Sequence, residues 1–118
     1  VIGTVQDLRI VARDESARVL DLDVVTDRST YRVHGDPIRW VLRPAGRSIL
    51  RSIMFDLELA RSQGELTRVV ARGGGNGHGV GMCQWCAKGM ADSGLDWRTM
   101  ISQFYPSADV VVAYDAPR

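Results

Sequence analysis

The chain has 118 residues, 45% of them hydrophobic and 25% charged, with a formal net charge of +1. That length bounds it to one domain or a piece of one, with enough chain to bury a real core. The balanced charge provides no field for nucleic acid or an anionic membrane, so no nucleic-acid partner is expected, and no apolar run reaches the roughly 18 residues of a membrane span.

The N-terminus carries no basic-then-apolar export pattern. Val1 is not an initiator methionine and opens directly on strand-like sequence, so the chain reads as a fragment of a longer protein. Thr4–Val11 is β-rich, and the turn Asp14–Ala17 leads into Arg18–Thr26. There Leu20, Leu22 and Val24 alternate with Asp21 and Asp23, the period-2 pattern of a half-buried strand. A turn near Asp27–Ser29 precedes Tyr31–His34, and these pieces predict an antiparallel meander. Asp36-Pro37 predicts a helix start, with Asp36 as cap and Pro37 at the first helical position, ending by Leu42 ahead of Pro44 and Gly46. Ser48–Leu59 and Leu66–Arg72 flank Arg61–Gly64 as the arms of a hairpin.

Six of the nine residues from Gly73 to Gly81 are glycine. Beyond them the period changes. Met82, Trp85, Cys86, Gly89 and Met90 fall on one helical face, ended by Ser93-Gly94. Asp96 then caps a second helix in which Trp97, Met100, Ile101 and Phe104 repeat the spacing, and Pro106 stops it. Trp85, Trp97, Met90, Met100 and Phe104 sit at the spacing of core residues. Ala108–Tyr114 is expected to close as a strand. The fold class is therefore α+β: antiparallel strands, a glycine-rich loop, two short helices and a final strand.

The glycine cluster is the chemically distinctive stretch. A phosphate cradle needs either Gly-x-Gly-x-x-Gly inside a βαβ unit or Gly-Lys-Ser/Thr at the helix start, and neither is present. Cys83-Gln84-Trp85-Cys86 has the spacing of a redox pair on a helix N-terminus, but lacks the strand order of a thioredoxin-like fold. His78, Cys83 and Cys86 supply three ligands for zinc, with no obvious fourth beyond His34 or a carboxylate. A blander reading makes the two cysteines small apolar residues or a local disulfide, and it is preferred over the metal and redox readings. A carbohydrate reading uses the glycines themselves. Without Cβ atoms their N–H and C=O groups can approach a sugar closely, with His78 projecting from the wall and Gln84 offering an amide. His34, beside Gly35-Asp36-Pro37, reads as a turn histidine, and Arg39 and Trp40 read as structural more readily than as groove residues.

The string Gly77-His78-Gly79-Val80-Gly81-Met82-Cys83-Gln84-Trp85-Cys86-Ala87-Lys88-Gly89-Met90-Ala91 resembles the signature of the SpoIID (stage II sporulation protein D), or SpoIID/LytB, family, whose usual form is G-H-G-V-G-M-S-Q-x-G-A-x-x-M-A. Leu95-Asp96-Trp97 and Ile101–Pro106 resemble that family's following helix. Arg39, Leu50-Arg51-Ser52 and Phe55-Asp56-Leu57 match more loosely. The resemblance implies the C-terminal portion of a SpoIID-like domain, mainly β over 1–72, glycine loop and helices over 73–107, then strand and tail over 108–118.

It also implies a bacterial, extracytoplasmic cell-envelope protein, in some members sporulation-linked, that binds peptidoglycan glycan strands as part of a lytic transglycosylase. One carboxylic acid there protonates the leaving oxygen and the sugar's own 6-hydroxyl closes the ring. The alternative is a non-catalytic glycan-binding module, or one that enhances a cell-wall amidase. Gly77, His78, Gly79, Gly81 and Gln84 are the expected substrate-binding residues, with no resident cofactor. The family's catalytic glutamate has no counterpart here, since Glu15, Glu58 and Glu65 lie in a turn, a strand and a hairpin. The acid is accordingly expected outside this chain. Cys83 and Cys86 stand where the family usually has serine and glycine.

Overall fold

The structure, a computed structural model, describes residues 1–46 and 48–113. It is α+β, with antiparallel strands in two sheets and three short helices among the described residues. The residues form two compact units, Val1–Gly79 and the stretch from Val80 onward.

In the first unit, β1 (Val5–Arg13), β2 (Val19–Thr26) and β3 (Thr30–His34) form an antiparallel sheet in the order β1-β2-β3. The β1–β2 turn is closed by the Asp14 carboxylate, which accepts the N–H groups of Ser16 and Arg18 and the Ser16 hydroxyl. Ala17 takes the left-handed conformation there, with φ of 65°. In β2, Leu22 and Val24 are buried as the alternation predicts, but the first buried residue is Val19 rather than Leu20. The cause is a slip in the ladder. Ile10 pairs with Leu22, Ala12 with Asp21 and Arg13 with Val19, so the start of β2 turns over relative to the rest.

Helix α1 (Ile38–Val41) is a single turn. Asp36 does not cap it as expected: no side-chain cap is made, and the Asp36 carboxylate instead accepts from the Arg39 guanidinium at 3.0 Å. The same guanidinium donates to the Leu50 carbonyl at 2.7 Å, and the Leu50 N–H returns to the Arg39 carbonyl at 3.1 Å. Arg39 thus clamps α1 to the chain ahead of the hairpin. With Leu50 held by α1, and the Ile53 carbonyl accepting the Val19 N–H of β2 at 2.8 Å, these backbone groups are committed away from a hairpin partner.

The hairpin strand consequently begins at Met54 rather than Ser48. β4 (Met54–Ser62) pairs with β5 (Glu65–Gly74) through a two-residue turn. Gln63 and Gly64 both have left-handed φ, 51° and 82°, as the primed turns of two-residue hairpins demand. At the open end, β5 runs two residues further than expected, because Gly73 pairs with Phe55 and Gly74 with Met54. The core of the unit is Leu8, Val19, Leu22, Val24, Ile38, Ile53 and Phe55. Two arginines tie the hairpin to β1: Arg13 donates to the Phe55 carbonyl and pairs with Asp56, while Arg61 donates to the Gln6 carbonyl and pairs with Asp7.

The second unit contains α2 (Gln84–Asp92) and α3 (Trp97–Phe104). Gly94, with φ of 87°, ends α2 as predicted; the Leu95 N–H reaches back to the Met90 carbonyl at 3.0 Å and the Gly94 N–H to that of Ala91 at 2.9 Å. Asp96 caps α3, accepting the N–H groups of Arg98 and Thr99. The expected core packing of the aromatic residues does not occur within this unit. Trp85 is 81% exposed and Trp97 54%, while Met90, Met100 and Phe104 are only half-buried. Two short helices enclose too little volume to bury five large side chains. Ala108–Ala113 forms no strand, and Tyr114, the last residue of the expected strand, lies outside the described residues.

Candidate functional site

The glycine run divides into residues with different physical jobs. Gly73 is needed by the sheet, since a Cβ there would overlap the Met54 carbonyl of the neighbouring strand. Gly74 is under no such demand; a Cβ would meet only the terminal methyl of Met54, at 3.2 Å. Gly75 and Gly77 have φ of 80° and 88°, in the left-handed region, and carry the chain out of β5. The Gly77 N–H then donates to the Arg51 carbonyl at 2.7 Å, pinning the loop to the 48–53 segment.

Between these two segments lies a groove of about 650 Å³ in the first unit. One wall is Ser48–Ser52, the other the exposed backbone of Gly73, Gly74 and Gly75, with half-buried Met54 between them and Phe55 in the core beneath. Ser52 fixes the join. Its buried hydroxyl donates to the Gly74 carbonyl and accepts the Met54 N–H, holding the two walls in register where strand pairing has ended. Arg51 is exposed at this groove. No carboxylate or histidine lines it among the described residues.

The expected site residues fall in both units. Gly77, His78 and Gly79 close the first. His78 is exposed, one residue beyond the Gly77–Arg51 hydrogen bond. Gly79, with φ of 70°, lies against the Arg18 side chain, whose buried Nε has no hydrogen-bond partner. Gly81 and Gln84 belong to the second unit. Gly81 is packed against the Tyr105 hydroxyl, which accepts the Met82 N–H at 3.0 Å, and a Cβ on Gly81 would fall 2.6 Å from that oxygen. Gln84 is exposed in the first turn of α2. Sequence reasoning assigned no site role to Ser48, Arg51, Ser52 or, individually, to the glycines 73–75, which line the groove. The triple glycine was the available signal, overshadowed by the histidine beyond it.

Cys83 and Cys86 are joined as a disulfide, and the Cys86 N–H donates to Cys83 Sγ at 3.2 Å, so Cys83 also serves as the N-cap of α2. Among the described residues no three His, Cys, Asp or Glu side chains are gathered to hold a metal. His34 pairs with Asp21 across β2 and β3 at 2.7 Å. Glu58 pairs with Arg72 across the hairpin at 2.8 Å, an exposed surface contact. Asp7, Asp14 and Asp23 each sit below the ordinary carboxylate value. The main causes are a hydrogen bond from Arg9 to Asp7, from Ser16 to Asp14 and from Arg32 to Asp23.

Residues 1–81 match DUF8618, a domain of unknown function. The chain belongs to this family. The match takes in the whole of the first unit, so the groove is a feature of the DUF8618 portion. An uncharacterized protein of Brachyspira hyodysenteriae is 44% identical over 43 residues, or 36% of this chain. The matched stretch spans 12% of that relative's own length. No solved structure matches the chain.

These findings overturn the SpoIID resemblance. The family that covers most of the chain is DUF8618, and neither it nor the Brachyspira protein carries a SpoIID description. The misleading string runs from Gly77 to Ala91, across the boundary between the two units. Several of its residues answer to local needs: Gly79 to Arg18, Gly81 to Tyr105, and Cys83 to the first turn of α2. A glycine-rich entry to a helix recurs for backbone reasons and is weak evidence of descent.

Proposed function

We propose that the DUF8618 portion is a non-catalytic glycan-binding module whose ligand lies in the groove between Ser48–Ser52 and Gly73–Gly75, and that the protein works on the extracytoplasmic side of a bacterial envelope. The supporting observation is the groove's construction: a wall of exposed backbone without side chains, opposite serines and one arginine. Sugars present hydroxyl and acetamido groups that both donate and accept, and bare backbone offers both kinds of partner at close range. Half-buried Met54 supplies apolar surface for the C–H face of a pyranose. Arg51 is the one cation among the described lining residues, and a polyanion calls for a cluster. With no acid among the described lining residues, the groove is assigned binding and no bond cleavage.

Titration calorimetry with chitotetraose and with denuded peptidoglycan strands tests this, a neutral β-glucan serving as comparison. Binding to the N-acetylated strands is expected, weakened about tenfold by Arg51→Ala and also by Gly74→Val. Arg28→Ala, which removes the same charge at the β2–β3 turn, is expected to bind as the parent does. Absence of heat with every polysaccharide, or equal losses from Arg28→Ala and Arg51→Ala, would contradict the reading.

A further inference from the structure

The cystine in the second unit is poorly suited to a stabilising role. Cys83 and Cys86 are three residues apart in the first turn of α2, a stretch already closed by the Ala87 N–H donating to the Cys83 carbonyl at 2.9 Å. A crosslink over so short a loop removes little freedom from the unfolded chain and ties no distant elements together. Both cysteines are exposed. They are unequal in their surroundings, since Cys83 Sγ accepts the Cys86 N–H at the N-terminus of a nine-residue helix, and the first turn contains no acidic residue. Amide donors and the helix dipole at that end favour negative charge on Cys83 Sγ. Beside the pair stand Trp85, 81% exposed, and Val80 and Met82, also exposed. Trp85 lies between the cysteines in sequence and Met82 directly precedes them, so exposed apolar side chains flank the pair along the chain.

We propose that Cys83 and Cys86 form a thiol–disulfide exchange site whose co-substrate is a dithiol, either a small molecule or a protein oxidoreductase, with Cys83 as the exchanging sulfur and Cys86 as the resolving one. A thiolate of the dithiol attacks Cys83 Sγ. The Cys83–Cys86 bond breaks, a mixed disulfide forms at Cys83, and Cys86 leaves as thiolate to be protonated. The second thiol of the reductant then attacks its own sulfur in the mixed disulfide, expelling Cys83 as the thiolate that the Cys86 N–H stabilises. Two electrons and two protons pass to the protein, and the reductant becomes a disulfide. Oxidation by an external disulfide is the reverse, with the Cys83 thiolate attacking first. The site is independent of the groove.

The test uses the whole 118-residue chain. Incubated in a graded series of dithiothreitol redox buffers under native conditions, it should gain two alkylatable thiols and lose them again on return to oxidising buffer, with an unchanged far-ultraviolet circular dichroism spectrum. Mass spectrometry after brief exposure of the reduced parent to oxidised glutathione should place the mixed disulfide on Cys83. Cys86→Ser should form its glutathione adduct about tenfold faster than Cys83→Ser does. The parent's adduct position keeps the test decisive should either variant misfold. A cystine that resists reduction until the chain is denatured, or glutathione found equally on both sulfurs of the parent, would overturn the proposal.

Discussion

Adjacent glycines can serve opposite ends, and Gly73 and Gly74 separate the two. At Gly73 an added methyl would run into the Met54 carbonyl and the Phe55 Cα, both backbone atoms that move only with their strand. At Gly74 it would press on a flexible methionine terminus. Gly73→Ala is therefore expected to lower unfolding stability by about 1–3 kcal/mol, the range for overpacking, and Gly74→Ala by less than about 1 kcal/mol. Urea denaturation of both variants measures this. Equal costs would mean that the open end of the hairpin yields more easily than its geometry implies. Which glycine did which job was not legible in the sequence, because that depends on a partner strand beginning at Met54, nearly twenty positions away. The cap at Asp96 and the stop at Gly94 were legible, since each depends only on its immediate neighbours.

At the level of elements, arginine–carboxylate pairs bridge the strands of the three-stranded sheet and tie the hairpin to it. Arg32 grips Asp23 through two hydrogen bonds, at 2.8 and 3.0 Å, across β2 and β3. Asp7 is held by Arg9 and Arg61. Both acids have native pKa values below their ordinary 3.8, the leading cause in each case being the arginine hydrogen bond. A carboxylate depressed in the native state contributes stability above its unfolded pKa and loses it as pH falls through the native one. The urea midpoint should thus be nearly constant down to about pH 5 and fall between about pH 4 and pH 2, with Asp7→Asn reducing the fall. A midpoint unchanged at about pH 3 would contradict these pairs as stabilising contacts. The alternation in β2 revealed the strand and most of its buried face. It did not reveal that Val19 replaces Leu20 in the core, because Leu20 is skipped where Asp21 pairs with Ala12 and Val19 with Arg13, and that skip shows only in the pairing of the two strands.

For the molecule as a whole, the α+β class and the order of strands before helices could be read from periodicity and turn signals, but the closing strand expected at Ala108–Tyr114 does not form over its described residues. The family could not. DUF8618 takes in residues 1–81, whereas the resemblance rested on residues concentrated at the glycine-to-helix junction. The groove was half visible. Its triple glycine stands out in the sequence, but the opposite wall is made by a segment whose β-like composition predicted a strand. Arg39 and β2 claim that segment's backbone instead.

The central claim is that a saccharide lies between these two walls, and amide chemical shifts report it residue by residue. Titrating the isotopically labelled chain with denuded glycan strands should move the resonances of Ser48–Ser52 and Gly73–Gly75 together and with a common affinity. Those of the β1–β2 turn should stay in place. Saturating glycan that leaves the Ser48–Ser52 and Gly73–Gly75 amides unmoved would contradict the account.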